Sequence, residues 1–198
     1  NGTAWVAVTQ NQEITASDIT SGYLRFRPDA NENGSPYTAF GYQVSDGTVY
    51  SSSTTMTVNV TLVNDAPVAT DDASSVTEDS NVRVRANEDD LLNDDSDTEN
   101  HSLSITLIKP LNGSNTSISS GSSTTITGTY GELTVNSNGA YNYKANQDAA
   151  DTLDTGENAE EKFVYTVSDG KGGTDTGILT ITINGVEDNP NAIKDNVS

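Results

Sequence analysis

Two separated stretches of this chain repeat each other at one fixed distance, and nothing else in the sequence narrows the fold as much. Phe40, Tyr42, Val44, Ser45, Asp46 and Gly47 recur 123 residues later as Phe163, Tyr165, Val167, Ser168, Asp169 and Gly170. The same step carries Asn64-Asp65-Ala66-Pro67 onto Glu187-Asp188-Asn189-Pro190, so the Ser-Asp-Gly aspartate precedes the linker aspartate by 19 residues in both copies. A gapless match over two blocks is the mark of tandem duplication. Within each block Phe and Tyr alternate with other residues, as on one face of a strand. Ser-Asp-Gly then supplies a turn, because Asp bonds its own backbone and Gly accepts a positive φ. Each block therefore predicts a β-hairpin that runs on into an acidic linker.

The rest of the chain reads the same way. Leu24-Arg25-Phe26, Val58-Asn59-Val60-Thr61-Leu62, Val82-Arg83-Val84 and Ile181-Thr182-Ile183 are short alternating bursts between Gly, Asn and Asp clusters. Period-2 alternation of this kind is the strand signature, and no helical stripe of any length competes with it. Leu, Ile, Val and Phe make up only about a fifth of the 198 residues, and 29 Asp and Glu face 9 Lys and Arg for a net charge of −20. That composition borders on disorder; the alternation argues for an all-β fold that is marginal without help. No cysteine is present to staple it.

The linkers divide the chain. Proline cannot donate to a ladder and stiffens the crossing it occupies, so Pro67 and Pro190 mark boundaries. The expected modules are a partial one over 1–65, a full one over 66–188, and the start of another, or a linker, over 189–198. The first has only 39 residues ahead of Phe40, where the second has 95 between Pro67 and Phe163. The opening Asn1-Gly2-Thr3-Ala4-Trp5 lacks a basic start and apolar stretch, so the sequence reads as internal to something longer.

The negative charge selects the partner. Phosphate binding needs clustered cations, and so does docking on anionic lipid; neither nucleic acid nor a membrane surface suits this chain. No apolar run approaches the length that spans a bilayer. A hard divalent cation, which takes six to eight oxygen ligands, does suit it. Oxygen donors gather in three patches: Thr77-Glu78-Asp79; the run 93–99, where Asp95, Asp97 and Glu99 alternate and so point to one face of an extended strand; and Asp169 together with the linker acids Asp65, Glu187 and Asp188. The EF-hand loop does not fit, because Asn100 stands where glycine is needed and Thr106 where the bidentate Glu belongs. Catalysis finds no support: the single histidine, His101, reads as a surface residue at a strand start, and no nucleophile elbow or zinc-ligand spacing accompanies it.

Phe163-Val164-Tyr165-Thr166-Val167-Ser168-Asp169-Gly170-Lys171-Gly172-Gly173-Thr174-Asp175, followed by Gly185-Val186-Glu187-Asp188, resembles the VCBS and bacterial cadherin-like repeats of giant RTX adhesins. Tyr130-Gly131-Glu132-Leu133-Thr134-Val135 and Asn138-Gly139-Ala140-Tyr141-Asn142-Tyr143 carry the same resemblance, which covers nearly the whole chain. It implies tandem immunoglobulin-like or cadherin-like antiparallel β-sandwich modules on a bacterial cell surface, stiffened by calcium bound between neighbours. Such a chain extends a distant ligand-binding region away from the cell, and glycan or host ligands would be met through other domains. The alternative is that a module of the same adhesin itself binds carbohydrate or a host protein. Cadherin-type repeats take calcium with an early-strand Glu, an Asp-x-Asp pair, an Asn-Asp linker and a late Asp. The matching positions are Glu78, Asp95 and Asp97, Asn64 and Asp65, and Asp169; the second linker departs from the pattern with Glu187 in place of Asn.

Overall fold

A computed structural model describes residues 5–187, which form two compact units, 1–63 and 64 onward. The second unit begins at Asn64, so both linker residues Asn64 and Asp65 are part of it.

The first unit contains one helical turn, α1 (Ala16–Thr20), and a hairpin of β1 (Gly34–Tyr42) with β2 (Thr54–Val60). The helical turn was not expected from any apolar stripe, and it does not rest on one. A capping box sets it: the Thr15 hydroxyl accepts from the Asp18 amide at 3.1 Å while the Asp18 carboxylate accepts from the Thr15 amide at 3.3 Å. No described residue of this unit is buried.

The second unit is a sandwich of two sheets. One has five strands in the order β3 (Asp72–Thr77), β11 (Thr174–Asn184), β10 (Asn158–Ser168), β5 (Ser104–Pro110) and β6 (Thr116–Ser117). The other has β4 (Asn81–Val84), β9 (Tyr141–Lys144), β8 (Glu132–Asn136) and β7 (Ser123–Thr127). All pairings are antiparallel except that of β3 with β11. Burial alternates residue by residue along β8, β10 and β11, as the period-2 pattern requires. Ile105, Ile108, Phe163, Tyr165, Val167, Leu179, Ile181 and Ile183 meet Leu133, Val135, Tyr141 and Tyr143 between the sheets. Phe163 and Tyr143 pack edge to face, with ring centroids 6.1 Å apart. The Tyr143 hydroxyl donates to buried Glu161 at 2.7 Å. Gly177 stands opposite Tyr165 because any Cβ there would lie 2.3 Å from the tyrosine ring.

The duplication read from the sequence is a duplication of structure. Phe40 faces Met56 and Tyr42 faces Thr54 in the first hairpin; Phe163 faces Leu179 and Tyr165 faces Gly177 in the second. Every one of these pairs moves onto its counterpart by the same 123 residues.

Candidate metal centre

The turn between β10 and β11 opens on Asp169, which is 3% exposed. Its Oδ1 closes the turn by accepting the amides of Lys171 at 2.7 Å and Gly173 at 3.0 Å. Its Oδ2 accepts from the side-chain amide of Asn64 at 2.6 Å. These bonds, the Asn64 amide first, hold the Asp169 carboxyl below the usual carboxylate range. The linker is thus tied to a hairpin 105 residues away in sequence. Asp46, the counterpart in the first unit, accepts the amides of Thr48 and Val49 within its own turn.

The segment 93–99 supplies the other side. Ser96 bridges Val68, so the segment lies antiparallel to the chain just past the linker. Asp95, Asp97 and Glu99 are half-buried while Ser96 and Thr98 are exposed, in keeping with the alternation of the sequence. Asp97 Oδ1 accepts the amides of Glu99 at 3.0 Å and His101 at 2.8 Å, wrapping the loop around the carboxylate. Its side chain is fully buried, and Oδ2 has no partner. Glu99 accepts the Asp65 amide at 3.1 Å. Asp97, His101 and Asp169 each bring a ligand atom to within 4.8 Å of the others. His101 was not foreseen as part of this centre. The signal that could have found it is local: Asp97 gathers the backbone amides at +2 and +4, which turns the residue at +4 back toward the carboxylate.

The candidate ligands do not form a single set. Asp95 turns its Oδ1 to the Thr70 amide at 2.8 Å, and its neighbours are Asp94 and Asp175 rather than Asp169. Glu78 follows β3, which runs parallel to β11, so it lies beside Asn184 and Val186 at the far end of that strand from Asp169. Eleven residues of strand separate the two ends by roughly 35 Å. Glu78 is 2% exposed, its Oε1 accepts the Val186 amide, and its Oε2 is buried without a partner. Glu187 is exposed at that same end, and Asp188 lies outside the described residues.

Among the described residues, the buried side-chain polar atoms without a partner are Asn64 Oδ1, Glu78 Oε2, Asp95 Oδ2, Asp97 Oδ2 and His101 Nδ1. Four of the five are oxygens of the residues singled out from the sequence. A buried carboxylate oxygen left unpaired costs on the order of 1–3 kcal/mol or more. A cation removes that cost, and amide and carboxylate oxygens are the donors a hard divalent ion takes. The residues fit such an ion.

Burial also raises the Asp72 and Asp95 carboxyls to about 6, with Asp94 contributing to both. Asp72 shares the Tyr165 hydroxyl, at 2.6 Å, with the Thr70 carbonyl. An acid whose folded pKa lies above its unfolded value, about 3.9, stabilises fully below that value and loses the contribution as pH rises through the folded pKa. In chelator, the melting temperature is therefore expected to be higher at pH 5 than at pH 7.5. The combined Asp72→Asn and Asp95→Asn variant should flatten that difference; an unchanged pH profile would show that other groups set it.

Residues 64–185 match the bacterial cadherin-like domain model. The chain belongs to the bacterial cadherin-like family. A curated relative, the calcium-binding lectin RapA2 of Rhizobium johnstonii, is 35% identical over 111 residues, which is 54% of this chain and 45% of the relative. The chain thus spans less than half the length of that protein. Among solved structures, a nucleoside hydrolase-related hypothetical protein from Saccharophagus degradans, associated with carbohydrate metabolism, aligns at 16% identity. That alignment covers 63% of this chain and 26% of the other, with a TM-score of 0.36. The cadherin-like match spans the sandwich from its first linker residue to the end of β11.

Proposed function

We propose that this cadherin-like module binds calcium at its N-terminal end and that the ion stiffens its junction with the preceding module. The observation that carries the reading is the Asp97 carboxylate, fully buried with one oxygen unpartnered and set against Asp169, to which Asn64 is bonded. Asn64, Asp97 and Asp169 are the inner ligands, with Asp65 and Glu99 beside them, while Asp95 belongs to the neighbouring cluster of Asp94 and Asp175. Glu78, with Glu187 and Asp188, serves the junction at the other end. The calcium-binding relative supports the choice of ion. The module acts without catalysis, as an extender of a bacterial surface adhesin of the RTX type, its partners being neighbouring modules and calcium. Small-angle scattering of the 198-residue chain should show a broader distance distribution in chelator than in calcium. Superimposable profiles would remove the stiffening role.

A second reading, that the module itself grips a saccharide, has two observations in its favour. One is the relative's name as a lectin. The other is a depression of about 430 Å³ on β4, β8 and β9, lined by Arg83, Arg85, Thr134, Asn136, Asn138 and Asn142. Guanidinium and amide groups suit carboxylates and hydroxyls. A glycan array probed with this chain separates the readings: signal that Arg83→Ala abolishes belongs to a lectin, and a silent array leaves the extender alone.

A further inference from the structure

His101 is the one histidine of the chain, and it stands where an all-oxygen calcium site has no need of it. Its Nδ1 lies 3.2 Å from Asp97 Oδ1, yet makes no hydrogen bond and is buried without a partner. Its position is not left to a free side chain. The His101 backbone amide is bonded to the same Asp97 oxygen, and the side chain is only 21% exposed. An imidazole nitrogen adds little to a hard cation that selects oxygen, whereas zinc, nickel and copper favour it. Donors at adjacent corners of a tetrahedral zinc shell, with bonds of about 2.0–2.1 Å, stand about 3.3 Å apart. Asp97, His101 and Asp169 offer one nitrogen and two carboxylates within 4.8 Å of one another, and Asn64 Oδ1 is an unpartnered oxygen on a residue bonded to Asp169.

We propose that His101 makes this centre a site for a divalent transition-metal ion of the zinc class, bound in competition with calcium. The proposal rests on the reading of the same residues as a cation site and adds the identity of a second ion. Where both ions are present, the imidazole decides which one holds the junction: zinc uses it and calcium does not.

The test is titration calorimetry of the 198-residue chain with zinc chloride and with calcium chloride, separately and then zinc in saturating calcium. His101→Gln keeps the backbone amide bond to Asp97 and removes the imidazole. It is expected to weaken zinc binding at least tenfold while shifting calcium affinity less than about threefold. Asp97→Asn is expected to weaken both. Saturating calcium should lower the apparent zinc affinity of the wild-type chain. Because there is a single histidine, its ring resonances identify it directly, and zinc should move them while calcium leaves them nearly in place. A melting temperature in chelator that is equal for wild type and His101→Gln certifies the fold of the variant; an unequal one passes the decision to the ring resonances of the wild-type chain. Zinc binding that is absent, or equal in wild type and His101→Gln, overturns the proposal, as does a ring that ignores zinc. Normal calcium binding alongside such a result would leave the calcium junction standing. Loss of calcium binding in the wild-type chain would instead sink the junction itself.

Discussion

Stripping calcium from the 198-residue chain is expected to lower the melting temperature of the cadherin-like module by about 10 °C. An ion held by the folded state alone and present at a hundred times its dissociation constant adds about 2.7 kcal/mol, and for a domain of this size each kcal/mol is worth about 3–5 °C. The electrostatics favour an effect of that order. Two carboxylates about 4 Å apart repel by about 4 kcal/mol at an effective dielectric of 20, and a divalent ion between them reverses the sign. Asp97 and Asp169, whose ligand atoms lie within 4.8 Å of each other, are a pair of this kind, both withdrawn from solvent. Asp97→Asn should reproduce the chelated state in the presence of calcium. The substituted side chain retains an oxygen for the Glu99 and His101 amides, so the loop survives, and only the unpartnered Oδ2 is replaced. In chelator the variant should melt at or slightly above the wild type, since a buried charge has gone. Scanning calorimetry at matched ionic strength reads all four states. Identical melting of the wild-type chain in millimolar calcium and in chelator would end the calcium reading.

The parts of this centre that were legible in the sequence are those fixed by strand geometry. Alternation put Asp95, Asp97 and Glu99 on one side of an extended segment, and they are the half-buried residues of that segment. The constant 123-residue step between the two Phe-x-Tyr blocks gave two matching hairpins, and both share one register. What alternation cannot give is position along a strand. Glu78 sits at the opposite end of β11 from Asp169 because β3 pairs with β11 in parallel, and nothing within Asp72–Thr77 announces that direction. Nor does alternation distinguish Asp95 from Asp97: both face the same side, but the Thr70 amide claims one and His101 the other. His101 itself enters through a loop whose shape depends on which backbone amides a carboxylate gathers, a matter of hydrogen bonding rather than of residue type.

The duplication carries a second large expectation, because equal letters occupy unequal surroundings. Phe163 is wholly buried between the two sheets, whereas Phe40, its copy in the same register, is 44% exposed. Tyr165 is likewise buried while Tyr42 is exposed. The cause lies in what faces each hairpin. Leu133, Val135, Tyr141 and Tyr143 on β8 and β9 complete the core above β10 and β11. No residue among 5–63 is buried, so the first unit builds no second layer above β1 and β2. Truncating a phenylalanine in a packed core costs about 3–5 kcal/mol, the lost transfer energy plus the cavity left behind. Truncating one on an open hairpin costs less than about 1 kcal/mol. Phe163→Ala should therefore shift the urea midpoint of the cadherin-like module strongly, and the loss of the Tyr143 edge-to-face contact adds to the deficit. Phe40→Ala should leave that midpoint in place and barely alter the far-ultraviolet dichroism of the chain. If the two substitutions cost the same, then burial does not follow from the facing sheet, and the repeat would have to be stabilised by the hairpin alone. The comparison bears on that question because the ring, its strand register and the substitution are matched, while the layer above the ring differs.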